Sequence, residues 1–100
     1  MIDIQYSQRQ DRIREMMEQW ETGAFVVASA ANMRYLSGFS GEGYFLLQQD
    51  SGVIVTDSRY ELQAADETDA LEVIIANDGH LSAVIDHLEN TILRGETKQL

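Results

Sequence analysis

The chain has no cysteine and no proline. Without thiols there is no disulfide, no zinc–thiolate site and no cysteine nucleophile. Without proline there is no long proline-rich linker. Bases are scarce as well, with seven Lys and Arg against seventeen Asp and Glu and a net charge of −10. Phosphate backbones and anionic lipid surfaces attract cations, so no nucleic-acid and no membrane partner is expected. The same acids keep the chain soluble. The first ten residues are polar and lack the apolar stretch of a signal peptide. No apolar run is long enough to cross a bilayer. Together with the missing cysteines, this leads to the expectation of a cytoplasmic protein.

What is present suits one globular domain. The 100 residues are 44% hydrophobic and 24% charged, enough to bury a core but near the small end of the usual range. Residues 7–22 have helical periodicity, with Ile13, Met16, Met17 and Trp20 on one face. Ser7 is the expected cap and Gly23 the expected left-handed stop. Residues 24–29 are a short apolar run with β-branched residues, which reads as a buried strand. Asn32 is placed to cap a single helical turn over 33–37, closed by Gly38. Residues 44–48 and 53–56 read as strands around a tight turn at 49–52, with Gly52 suited to positive φ. They form an antiparallel hairpin. Asp57 or Ser58 caps a helix to about Thr68, 71–76 is a strand, and Asn77-Asp78-Gly79 is a turn. Residues 81–93 form a second amphipathic helix, with Leu81, Val84, Ile85, Leu88 and Ile92 on one face and a stop at Gly95. Interleaved helices and strands predict an α/β fold, a mixed sheet with helices on its faces. The crossover from 53 to 76 is expected to be right-handed and makes its two strands parallel. The alternation then calls for another strand after Gly95.

Few residues carry obvious chemistry. His80 and His87 are seven apart, whereas helical metal pairs sit three or four apart. Asp78, Asp86 and Glu89 do not complete a ligand set, so no metal site is expected, and His80 reads as a capping or surface residue. Glu61, Asp66, Glu67 and Asp69 read as a solvated face rather than an acid–base pair. There is no Gly-x-Ser-x-Gly elbow. The glycines at 38, 41 and 43 match neither phosphate-loop nor dinucleotide spacing and precede a strand rather than a helix. Aromatics cluster as Tyr35, Phe39, Tyr44 and Phe45. Alternation sends Tyr44 and Phe45 to opposite faces, so one of them is core. Phe39, in a glycine-flanked loop, is read either as core or as a partner contact. Asp57 and Arg59 are read either as a cap with a surface ion pair or as a device that offers Arg59 to a partner carboxylate.

The run Asn32-Met33-Arg34-Tyr35-Leu36-Ser37-Gly38-Phe39 and the later Thr56-Asp57-Ser58-Arg59-Tyr60, with the hairpin between them, resemble the N-terminal domain of the creatinase, prolidase and Xaa-Pro aminopeptidase family. The resemblance begins at Arg12 and the 24–27 strand, continues through Gln63 and Ala64, and covers nearly the whole chain. It implies a ribonuclease-H-like α/β layer over residues 1–100, cut before a C-terminal pita-bread domain. That second domain would hold two manganese or cobalt ions and hydrolyse the bond before proline with a metal-activated water. None of its ligands falls in this chain, so no catalytic and no metal residue is assigned here. The resemblance further implies a homodimer, and a domain that helps wall the active-site entrance against all but short proline-containing peptides. By motif position, Phe39, Tyr44 and Arg59 are the candidates for facing that cleft. Two alternatives are a peptide- or protein-binding module of the same fold and the N-terminal domain of a creatinase.

Overall fold

The structure, a computed structural model, describes residues 6–68 and 71–93. In chain order the elements are α1 (Tyr6–Gln19), β1 (Ala24–Val27), α2 (Ala30–Ser37), β2 (Tyr44–Gln48) and β3 (Gly52–Thr56). A 3-10 turn (Ser58–Tyr60) then leads into α3 (Glu61–Glu67), β4 (Glu72–Ile75) and α4 (His80–Leu93). The four strands form one sheet in the order β1-β2-β3-β4. β1 and β2 are antiparallel, as are β2 and β3, while β3 and β4 are parallel. The expected mixed α/β sheet is therefore the observed one.

Side-chain alternation divides the interior into two layers. On the first face Phe45, Leu47, Ile54 and Val27 meet Met17 of α1, Met33 and Leu36 of α2, and Ala64 of α3. On the second face Leu46, Val53 and Val55 meet Val84 of α4, flanked by Tyr44, Ile74 and Leu88. All five side-chain positions of β3 are buried, because β3 lies between two strands and under helices on both faces. Phe45 is the core member of the Tyr44–Phe45 pair, and Tyr44 is half-buried.

Several local expectations need correction. Helix α1 does not end on Gly23. Glu21 takes the left-handed conformation (φ 57°). The Thr22 N–H reaches Met17 O at 3.0 Å and the Glu21 N–H reaches Glu18 O at 3.2 Å, a Schellman closure on a non-glycine residue. The apolar face of α1 is narrower than its periodicity suggests. Met17 is buried, but Met16 and Trp20 are exposed, because only one stripe of the helix faces the sheet. Trp20 instead stacks on Phe25 at 5.9 Å between centroids. Ser29, not Asn32, caps α2: its Oγ accepts from the Asn32 N–H, so the helix starts earlier and is longer than one turn. Gly38 does close α2, at φ 87°. Gly52 lies inside β3, where its missing side chain makes room for Leu71 and Phe45. On α4, Leu81 and Ile85 are exposed while Val84 is buried. The expectations for Asp69, the side chain of Ile92, a stop at Gly95 and a strand after it lie outside the described residues.

The loop joining α2 to β2 is tightly held. The Ser37 hydroxyl donates to Met33 O (2.6 Å) and accepts from the Phe39 N–H (3.1 Å). Glu67 at the end of α3 accepts from both the Ser40 N–H and the Ser40 hydroxyl, and Gln63 donates to both Ser40 Oγ and Glu67. Burial pushes the Glu67 carboxyl up, but these donors outweigh it and hold the group below its usual range.

Candidate functional site

β3 and β4 run parallel and end side by side. The chain leaving β3 turns toward α3, which packs on the first face. The chain leaving β4 turns into α4, which packs on the second. Two parallel neighbours whose helices depart to opposite faces leave a crevice at their carboxyl ends, where open α/β sheets hold ligands. Here that crevice has a volume of about 430 Å³ and is lined by Asp57, Ser58, Arg59, Asn77, Gly79 and His80.

Asp57 is its hub. Extended at φ −127°, it caps the 3-10 turn by accepting from the Arg59 N–H. Its Oδ1 also accepts from Arg59 Nε at 2.8 Å, and its Oδ2 from Arg59 Nη2 at 2.9 Å. This is the planar two-pronged match of guanidinium to carboxylate. His80 Nε2, at the first position of α4, lies 2.8 Å from the same Oδ2. Arg59 extends outward and donates from Nη2 to Glu42 Oε1 at 3.0 Å. A second link ties the loops, since Asn77 Oδ1 accepts from the Ser58 N–H at 3.0 Å.

The electrostatics follow from this geometry. The Arg59 side chain holds the Asp57 carboxyl far below the usual carboxylate range. Burial opposes that shift, and His80 and the Arg59 backbone amide reinforce it. The same bond raises Arg59, which stays cationic at every physiological pH. Both oxygens of Asp57 are committed, so it is not arranged as a nucleophile or general base. Arg59 is different: its side chain is 65% exposed, and Asp57 and Glu42 fix its plane without covering it. The cluster thus fixes an exposed guanidinium between two carboxylates and is not arranged to transfer a proton.

The sequence-derived candidates separate here. Tyr44 begins β2 and pairs in register with Val55, so it stands at the same end of the sheet as Arg59. The Thr56 hydroxyl binds Glu42 O at 2.6 Å and holds that end together. Phe39 is a correction. It is 0% exposed and meets Tyr60 edge-to-face at 6.1 Å, because the closed loop folds it into the first-face core. It offers no side-chain surface to a cleft. Sequence reasoning assigned His80 only a capping or surface role and gave Glu42 none. The usable signal for His80 was its position just beyond a strand predicted to run parallel to the one ending at Asp57. Among the described residues no group of three His, Cys, Asp or Glu could hold a metal ion. Asp57 with His80 alone does not fit a dinuclear metal site. No described helix is long and apolar enough to cross a membrane.

Comparison with known proteins agrees with this architecture. Residues 9–99 match the sequence profile described as the creatinase/prolidase N-terminal domain. An uncharacterized peptidase of Bacillus subtilis, YqhT, is 26% identical over 81 residues, which are 80% of this chain and 23% of that protein. The chain thus spans about a quarter of that relative. A solved Xaa-Pro aminopeptidase structure from Streptococcus pyogenes is 30% identical with a TM-score of 0.79, over 87% of this chain and 67% of that one. The N-terminal domain of the cytoplasmic peptidase PepQ from Mycobacterium tuberculosis is 36% identical with a TM-score of 0.66, over 69% of this chain and 55% of that one. With the profile running over almost its entire length and the same sheet beneath it, this chain belongs to the creatinase/prolidase N-terminal domain family.

Proposed function

We propose that this chain is the non-catalytic N-terminal domain of an Xaa-Pro aminopeptidase or dipeptidase, contributing to oligomerisation and to the wall of the active-site entrance. The observation that carries the reading is the oriented, exposed guanidinium of Arg59 on its Asp57 anchor. A planar cation at the carboxyl ends of parallel strands suits recognition of a peptide carboxylate or an acidic partner surface. Tyr44 stands at the same end of the sheet, and this reading gives it the same approach. Phe39 drops out of the role because it is buried. In this reading the chemistry belongs to a separate C-terminal domain with two manganese or cobalt ions that activate water, and this domain screens what reaches it. The substrates are short peptides with proline in second position, and the compartment is the cytoplasm.

The test uses the full-length protein. Metal-loaded enzyme should cleave Xaa-Pro peptides, and the 100-residue chain alone should not. Arg59→Ala should raise KM several-fold with kcat and metal content little changed, because it removes binding rather than chemistry. A full-length protein that ignores Xaa-Pro peptides, or acts on creatine instead, would overturn the peptidase assignment. An unchanged KM would remove Arg59 from the entrance.

A further inference from the structure

The outer side of β1 has no strand partner among the described residues. Open strand edges invite pairing, and soluble proteins usually blunt them with charge, proline or a bulge. β1 reads Ala-Phe-Val-Val and carries none of these. On the second face α4 packs over β2 and β3, and Val26 of β1 is left 41% exposed. On the first face the edge opens into a groove of about 350 Å³ lined by Ile13, Phe25, Val27, Tyr35 and Leu36. Trp20, in the turn after α1 and 53% exposed on its Phe25 stack, joins the exposed Met16 of α1 and Tyr35 of α2. Monomers seldom leave so many large apolar side chains along one border.

Charge points to the occupant. The chain holds 17 acids, yet residues 22–41, which contain β1 and α2, have none, and Arg34 is their only charge. Two copies of a chain with net charge −10 repel one another over most approaches. This stretch brings no acid to the contact. An antiparallel pair of identical strands is also self-complementary about a two-fold axis, the commonest symmetry of homodimers.

We infer that β1 pairs antiparallel with β1 of a second copy of this chain, centred on Val26, joining two four-stranded sheets into one. The inference deepens the assembly role in the reading above by giving it a surface. The exposed Val26 side chains then lie side by side on the second face, and the apolar borders close over one another on the first.

The absence of cysteine makes the test clean. Directly opposed residues in an antiparallel pair have Cα atoms about 4.5–5.5 Å apart, within disulfide range. The 100-residue chain carrying Val26→Cys should therefore oxidise to a disulfide dimer. Leu62→Cys, 85% exposed on α3, should not. Light scattering on the unmodified chain should give twice 11.3 kDa at high concentration. Val26→Lys should return it to the monomer with an unchanged circular dichroism spectrum. A dimer that survives Val26→Lys, or traps as readily through Leu62→Cys, overturns the β1 interface and leaves the assembly role standing. A chain that stays monomeric up to about 1 mM overturns both and leaves the edge to a different partner. Neither result bears on the peptidase assay.

Discussion

Asp57 and His80 lie 23 residues apart in the chain and 2.8 Å apart in space. One directly follows β3 and the other starts α4 beyond β4, so their contact fastens together the segments leaving two parallel strands. Arg59 binds the same carboxylate from the solvent side.

That arrangement sets an acid response. The folded-state pKa of Asp57 is depressed, so its contribution to stability is present above the unfolded value of about 3.9 and is lost as pH falls below it. The thermal midpoint should fall between about pH 4 and pH 2. Asp57→Asn should lower the midpoint by a few degrees at neutral pH and flatten this acid limb. Melting curves over pH 2–7 decide the matter. A variant with the same acid limb as the parent would show that other carboxylates carry it.

Gly43 makes a sharper stability prediction. It sits at φ 145°, and a Cβ there would overlap the Val55 carbonyl oxygen. Both the backbone angle and the contact are against a side chain, and the opposing atom belongs to a central strand that cannot retreat. Gly43→Ala should cost roughly 2–4 kcal/mol in urea denaturation. A cost within 0.5 kcal/mol would mean that the loop re-routes freely.

Phe39 separates a core role from a contact role. Its ring is buried among Met33, Leu36 and Phe45 and set edge-on to Tyr60. Phe39→Ala should cost about 3–5 kcal/mol. Phe39→Leu should keep most of the stability and leave peptide KM in the full-length enzyme unchanged. A KM that rises with Phe39→Leu at undiminished stability would return the residue to the entrance.

The elements were legible in the sequence because their signals are local. Short apolar runs at 44–48 and 53–56 around a tight turn specified the hairpin, and the Leu81–Leu88 periodicity specified α4. The parallel placement of β3 and β4 followed from the helix between them. What failed depended on the assembled fold. A left-handed Glu21 closes α1 because the turn that suits β1 falls two residues before the obvious glycine. Trp20 lies outside the core because the sheet is only wide enough for one stripe of α1. Phe39 looked free beside its glycines, but its burial depends on Glu67, Gln63 and Tyr60, all more than 20 residues away. In the candidate site, Asp57 and Arg59 were visible as neighbours. His80 and Glu42 join them only through the sheet register.

The position of β3 has a consequence for how the domain opens. Its side chains are covered on both faces and strands are bonded along both its edges. No partial fluctuation frees its amides without dismantling a neighbour. Helix ends and the outer strand breathe independently, whereas the Val53–Val55 protons wait for the whole domain to come apart. Their exchange with deuterium is therefore an internal gauge of global stability, readable residue by residue without denaturant.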